Sequence, residues 1–491
     1  MMGARRYHSD HAFFRMVLNV FNEGCSDAPA PTSGQVTYGR ICAFRMKGRS
    51  LHHPQAGEAQ PQVPGWHAST RLAFRFGFAY FGLYSLISHI LIYIFVLPNT
   101  LPAQGLGTLW PMFDVTSWVA AHIFGIMTPL VYTGNSRDTN FFWAQLFLVL
   151  LVATTATIVW SVLDRRRENY VVLHKWFRLF MRFALAAQML YFGMVKVIPT
   201  QFPSPSLLTL VAPAGNLSMQ GFLWTSIGAS QPYQVFTGIV EVLGGLLLLA
   251  PGTTLLGATI CLASMTQVFI LNMTYDVGVK ILSFQLVLMS LFLLAPDFPR
   301  LASLFVLNHP AGASSEPELF QTRRANRIAL AAQIAFGLYL LGVYANIGRT
   351  FWYADGGGGS PKSPLYGIWN VEELAVDGEL RPAQVNDYDR RWRRVIFDGP
   401  QWIFFQRSDD SFVRYGASID VQQNTLTLTK GHSRSWHSNF TFERLDPDRL
   451  LLDGQMDGHR IHMTLQLLEL DTFRLLNSHF RWVRPPDPDT E

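Results

Sequence analysis

Long apolar segments fill the first two-thirds of the chain, and short segments of alternating polarity fill the rest. The apolar segments cover about 76–97, 141–163, 179–198, 234–250, 254–273, 279–295 and 328–343. About 20 apolar residues are enough to cross a bilayer as a helix. The pattern therefore predicts an α-helical polytopic membrane bundle with about seven spans. A weaker segment at 115–132 is predicted to be interfacial or re-entrant, and whether it spans stays open.

After residue 364 the apolar positions change to a period of two, which is typical of half-buried strands. Predicted strands cover 392–397, 402–406, 412–417, 425–429, 439–444, 450–452, 461–467 and 473–483. Eight or nine short strands in this length favour an all-β antiparallel barrel or sandwich.

These changes of pattern predict six regions. They are a disordered cytoplasmic tail at 1–65, N-terminal membrane segments at 66–177, a four-helix membrane core at 178–297, a cytoplasmic loop with the last transmembrane helix at 298–354, a Gly/Pro linker at 355–364, and a β domain at 365–485.

Basic residues next to the apolar segments give the orientation, because cytoplasmic loops are enriched in Lys and Arg. Arg165–Arg167, Lys175 and Arg178 form one such group, and Arg323, Arg324 and Arg327 belong to the next. Placing both groups inside puts the N-terminus in the cytoplasm and the β domain outside it. The chain is 49% hydrophobic and 15% charged, and its basic residues form no face for nucleic acid. The expected partners are the lipid bilayer and a membrane or periplasmic protein.

Charged and amide side chains recur within and beside the apolar segments of the core. Ionisable groups at membrane depth are costly, so they are functional candidates by default. The predicted polar cluster comprises Lys196, Gln201, Glu241, Asn272, Tyr275, Asp276 and Lys280, most of them in the outer half of the bilayer. The alternative interpretation is a structural network that pairs Lys196 with Glu241 and Asp276 with Lys280. No metal site or dithiol centre is predicted, because the three cysteines are far apart in sequence.

The core block carries Gly193-Met-Val-Lys196, Gln201-Phe-Pro203, Glu241-Val-Leu-Gly-Gly245 and Asn272-x-x-Tyr-Asp276-x-x-x-Lys280. In this order the motifs resemble DoxX-like membrane proteins. The resemblance implies a bacterial inner-membrane four-helix core. Related families are linked to thiosulfate:quinone oxidoreduction, to oxidative-stress complexes and to maturation of amine dehydrogenase. This chain adds N-terminal spans and an outer β domain, and it lacks a thiol pair.

The β domain begins with Gly367-Ile-Trp369, which is similar to the Gly-x-Trp start of lipocalin-like barrels. The resemblance implies that Trp369 plugs one end of the barrel and that Arg481, on a closing strand, lies over it. A lipid, small ligand or peptide inside the barrel and an interior filled by side chains both stay open.

Three functions remain. The favoured one is an accessory or ligand-binding membrane subunit, without an assigned enzyme activity. One alternative is a quinone-linked oxidoreductase subunit in which Glu241 and Asp276 move protons, with a quinone as the open cofactor candidate. The other is a proton-coupled transporter of small molecules that uses Glu241.

Overall fold

The computed structural model describes residues 65–98, 105–126, 138–310, 318–354, 357–383, 391–431, 433–477 and 482–483. The predicted tail therefore lies almost entirely outside the described residues. The helices are α1 (Ala68–Ile87), α2 (Ile90–Ile94), α3 (Met112–Phe124), α4 (Asn140–Leu163), α5 (Val171–Val197), α6 (Leu207–Val211), α7 (Met219–Ala229), α8 (Gln231–Leu247), α9 (Thr254–Thr274), α10 (Lys280–Leu294), α11 (Phe298–Phe305), α12 (Arg323–Ala354) and, after the sheet, α13 (Arg474–Asn477).

Among the described residues, five helical segments are long and apolar enough to cross a membrane: 140–163, 171–197, 251–274, 280–305 and 323–354. The helical part thus has the composition of a membrane domain. The predicted spans at 76–97 and 234–250 correspond to α1 and α8, which are less apolar or shorter. Helix α3 has only 13 residues, and the rest of the predicted interfacial segment lies outside the described residues.

The first predicted span has the wrong bounds. Helix α1 ends at Ile87, and the short α2 follows after a break at Ser88 and His89. Arg75, which directly precedes the predicted span, lies inside α1 and is buried. Its guanidinium donates to the Tyr170 hydroxyl and to Ser161 of α4. These hydrogen bonds explain how a buried arginine is tolerated within the helix.

Helix α5 forms the centre of the bundle, and all ten of its residues from 181 to 190 are buried. Helix α12 runs parallel to it, because Phe183 pairs with Phe336 and, further along both helices, Tyr191 pairs with Tyr344. Helix α8 packs against α5 in the opposite direction. The N-terminal end of α5 therefore lies beside the N-terminal end of α12.

The strands are β1 (Gly367–Val376), β2 (Glu379–Leu380), β3 (Trp392–Phe397), β4 (Trp402–Arg407), β5 (Phe412–Asp420), β6 (Thr425–Lys430), β7 (Ser433–Asp446), β8 (Arg449–Met456) and β9 (His459–Leu468). Each pairs antiparallel with its neighbour in the order β2-β1-β3-β4-β5-β6-β7-β8-β9, and β9 pairs back onto β1. The result is a closed eight-stranded barrel with the two-residue β2 beside β1, as the period-two pattern predicted.

The predicted strand at 473–483 is wrong over the described residues at its start, and residues 478–481 lie outside the described part of the chain. Residues 474–477 form the short helix α13. The barrel closes through β9 instead, which takes the free edge of β1 with Trp369 opposite Leu467. A strand edge that is already paired has no hydrogen-bonding groups left for another strand.

The barrel packs against the helical part through α6, which follows α5 in the chain. Successive side chains of β1 point to opposite faces of the sheet, which explains this contact. Trp369 lies in the barrel interior, whereas Ile368 faces outward and is buried beside Leu207 of α6. The Gln406 side chain also donates to the Val211 carbonyl at 3.3 Å. The barrel therefore lies near the end of α5 that carries Lys196.

Candidate functional site

A cavity of about 900 Å³ lies between α5, α8, α9 and α10. We call it the mixed-charge cavity. Six of the seven predicted polar residues line it, and they come from all four helices and their connecting loops: Lys196, Gln201, Glu241, Asn272, Asp276 and Lys280. Tyr275 is half-buried and is not among the lining residues. The structure thus brings together residues separated by up to 84 positions in the sequence.

Two glycines allow α5 and α8 to approach closely here. A Cβ atom at Gly193 would lie 2.7 Å from Val242 Cγ2 and 2.9 Å from the Gly238 carbonyl oxygen. A Cβ atom at Gly238 would lie 2.8 Å from Lys196 Cβ. Because real side chains do not tolerate such distances, only glycine fits at these two positions. The close approach places Lys196 opposite Glu241.

Lys196 and Glu241 form a buried ion pair. Lys196 Nζ lies 2.7 Å from Glu241 Oε2, and their side chains are 7% and 2% exposed. The ammonium also donates to the Phe192 carbonyl at 3.3 Å. Desolvation of two charges consumes most of their attraction, so such a pair is weak evidence for a stabilising role. The same pair, facing a cavity, can exchange hydrogen bonds with a bound molecule.

A second charged group surrounds Lys280 at the start of α10. Asp138 accepts hydrogen bonds from the backbone N–H groups of Lys280 and Ile281 at 2.7 and 3.0 Å, and so caps the helix. Lys280 Nζ lies 2.8 Å from Asp276 and 3.8 Å from Asp138. The hydrogen bond and charge of Lys280 lower the pKa of the Asp276 carboxyl, which lies in the turn between α9 and α10. Both cations that line this cavity therefore have an acidic partner.

The sequence reasoning missed Asp138. It stands directly before Thr139 and α4, where a short acidic residue is expected to cap the helix that follows it. In the structure it caps α10, which begins 142 residues later. No local pattern carries that information, because the contact joins the segment before α4 to the start of a helix far along the chain.

Two amides complete the polar wall of the cavity. Asn272 donates to the Ser283 hydroxyl at 3.0 Å and so joins α9 to α10. Gln201 differs, because its side-chain oxygen is inaccessible to solvent and has no hydrogen-bond partner among the described residues. A buried acceptor without a partner costs free energy. A ligand with a hydroxyl or N–H group is one way to satisfy it.

The remaining wall is apolar and aromatic. Trp224 packs edge-on against Phe202 with a centroid distance of 4.8 Å, and both line the cavity. Tyr233 lines the cavity too, although its side chain is partly open to the surroundings. One polar wall and one apolar wall match an amphipathic molecule, and the volume lies in the range of small-molecule sites.

The barrel interior is different. Trp369 is fully buried, and its indole N–H donates to the Leu365 carbonyl at 3.0 Å. The apolar side chains packed around it include Phe397, Phe405 and Met463, all at 0% exposure. Arg481, predicted to lie over Trp369, is outside the described residues. Of the two interpretations left open, the described side chains favour a filled barrel.

Comparison with known proteins gives one informative similarity. The chain is 36% identical over 131 residues to the uncharacterized protein YwoB of Bacillus subtilis, an alignment that covers 26% of this chain and 79% of YwoB. This chain belongs to the YwoB family. No known family profile matches the chain, and no solved structure matches it. Because YwoB is itself uncharacterized, the function has to be inferred from the geometry of the site.

Proposed function

We propose that the protein is a DoxX-like integral membrane subunit that binds a small amphipathic molecule in the mixed-charge cavity. The observation that carries this is the convergence of six polar residues from separate segments on one cavity with an apolar wall. A network that served only to join helices would leave no volume between them. Here the charges are paired and still border about 900 Å³ of space.

The geometry favours a ligand that is neutral overall. Lys196 has Glu241 and Lys280 has Asp276 within 3 Å, so both lysines are already paired and neither calls for an anionic ligand. The unpaired Gln201 oxygen adds a requirement for a donor group on the ligand. A quinol satisfies these demands through its hydroxyl groups and apolar tail, and so does a neutral lipid with a hydroxyl headgroup.

We place the protein in a bacterial inner membrane with the cavity and the barrel on the extracytoplasmic side. The basic residues at the N-terminal ends of α5 and α12 support this orientation. The packing of α6 on the barrel supports a common side for the cavity and the barrel. A C-terminal alkaline phosphatase fusion is expected to be active and a C-terminal fluorescent-protein fusion dark. The reverse pattern would refute the orientation.

Native mass spectrometry of the detergent-purified protein tests the binding proposal directly. Wild type is compared with Glu241→Gln and Lys196→Met, and with Gln285→Ala as the matched control. Gln285 is equally buried and hydrogen-bonded to Tyr80, but it does not line the cavity. We expect a copurified small molecule in wild type and in the control, and its loss in the two cavity variants.

The mass of that molecule separates the functional alternatives. A quinone would favour a quinone-linked oxidoreductase subunit, since the Lys196–Glu241 pair is a proton donor and acceptor beside the bound ring. A phospholipid or other lipid would favour an accessory binding role. Equal occupancy in all four proteins, or none in any, would refute the proposal and leave the ion pairs as structural links between helices.

A further inference from the structure

A second cavity, of about 360 Å³, lies at the other end of α5 and α12. We call it the basic cavity. Five cationic side chains line it: Lys175, Arg178, Arg182, Arg323 and Arg327. Among the described residues that line it, Glu318 is the only acidic one. Lys196 and Arg178 are 18 residues apart on α5, which places the two cavities roughly 27 Å apart along the helix.

The deeper cations are held in place by the fold. Arg182 Nε donates to the Leu248 carbonyl at 2.9 Å, and Arg178 lies 3.6 Å from Asp297. Both arginines are almost completely buried. Lys175 donates to the carbonyls of Glu318 and Leu319, which fixes the loop on one side of the cavity.

The outer cations are uncompensated. Arg323 and Arg327 line the cavity from the first turns of α12 and have no hydrogen bond or ion pair within the described part of the chain. The Glu318 carboxylate is already bonded to the Asn326 amide at 2.8 Å. The first turn of this 32-residue helix, whose Ala325 N–H is capped by the Thr322 hydroxyl, adds the positive end of the helix dipole. Charge and backbone dipole therefore both favour an anion.

Gln333 gives an independent sign of a ligand. It lines the same cavity and is 8% exposed, and its side-chain oxygen is buried without a partner among the described residues. An oxygen acceptor next to arginines is matched by a molecule that carries an anionic group and a hydroxyl together. Glycerol phosphate headgroups have this combination.

We propose that the basic cavity binds a phosphate group, supplied by an anionic phospholipid or by phosphate free in solution. Arginine suits this role, because its planar guanidinium donates two parallel hydrogen bonds to phosphate oxygens. Basic sites between membrane helices near the cytoplasmic surface are where anionic headgroups are recognised. The site is separate from the mixed-charge cavity and does not depend on its ligand.

The test uses the full-length protein in neutral detergent and two variants that each lose two charges. Arg323→Gln/Arg327→Gln removes the two uncompensated cations of the cavity. Arg324→Gln/Arg349→Gln is the matched control, because both arginines are exposed on α12 and neither lines the cavity. Native mass spectrometry measures retention of phosphatidylglycerol against phosphatidylcholine. Thermal unfolding measures stabilisation by inorganic phosphate.

Two results support the proposal and identify the source. If the ligand is a phospholipid, wild type and control retain phosphatidylglycerol in preference to phosphatidylcholine. The cavity variant retains at least about tenfold less phosphatidylglycerol. Excess inorganic phosphate does not displace the bound lipid. If the source is free phosphate, inorganic phosphate raises the unfolding temperature of wild type and control but not of the cavity variant. Identical behaviour of the cavity variant and the control toward both probes would overturn the proposal.

Discussion

The two cavities at opposite ends of α5 differ in how their lining charges are paired. In the mixed-charge cavity each lining cation has a carboxylate partner, as Lys196 has Glu241 at 2.7 Å. In the basic cavity five lining cations face one lining carboxylate, Glu318. In the first cavity both lysines are paired within the protein. In the second, Arg178 is paired with Asp297, whereas Arg323 and Arg327 have no acidic partner among the described residues.

This difference teaches what each set of charges does for the fold. Removal of one member of a buried ion pair leaves the other charge buried without a partner, which lowers the stability of the fold. Removal of a cation that has no acidic partner relieves its repulsion with the cations around it. Loss of Lys196 or Glu241 alone is therefore expected to destabilise the protein, whereas loss of Arg323 and Arg327 is expected to leave its stability almost unchanged.

The largest effect is expected at Glu241. Glu241→Leu leaves the Lys196 ammonium buried without its partner and should lower the free energy of unfolding by about 3 to 5 kcal/mol. The double variant Lys196→Met/Glu241→Leu removes both charges and should recover to within about 1 kcal/mol of wild type. Denaturant or thermal unfolding in detergent measures both. If the single variant is as stable as wild type, Lys196 does not depend on Glu241 as its buried partner.

A smaller effect is expected where α5 and α8 touch. Gly193→Ala forces a methyl group to 2.7 Å from Val242 and should cost about 1 to 3 kcal/mol while it separates Lys196 from Glu241. Gly342→Ala on α12 is the control, because a Cβ atom there meets nothing within 4 Å. We expect that control to be neutral or slightly stabilising. Equal effects of the two alanines would refute the close approach.

The Asp138 cap ranks third. Asp138→Ala removes the acceptor for the N–H groups of Lys280 and Ile281 and should cost about 1 kcal/mol. Asp276→Asn keeps a residue that tolerates the positive φ of 51° found there and removes only an exposed charge. Its cost should be smaller. Amide hydrogen exchange at the start of α10 should rise in the first variant only.

The smallest effect is expected in the basic cavity. Arg323→Gln/Arg327→Gln should change the free energy of unfolding by about 0.5 kcal/mol or less, because neither side chain has a partner to lose. The expected sign is a slight stabilisation in low salt, fading as salt screens the repulsion. Unfolding at two ionic strengths measures this. A loss as large as that of Glu241→Leu would show that these arginines belong to the structural core of the bundle.

Most residues of the polar cluster could be predicted one by one from the sequence, but the full set of residues that line the cavity could not. Lys196 and Glu241 were predicted as candidates because charge in an apolar segment is rare and costly. Asp138 was not, because a single aspartate before a helix has an ordinary local explanation. The basic cavity was also missed as a site. Arg178, Arg323 and Arg327 were interpreted only as orientation signals, yet all three line a concave volume that Gln333 also borders.

The sequence by itself determined the division into an apolar helical part and a period-two barrel, and it named most of the polar residues. Apolar length and alternation are local properties, so they can be seen in short stretches of sequence. Tertiary structure alone decided the partners. It brought Gly193 against Gly238, placed the Asp138 cap on α10, and closed the barrel with β9 in place of the segment after it. Those outcomes depend on packing between segments far apart in the chain, where no local pattern specifies which surface meets which.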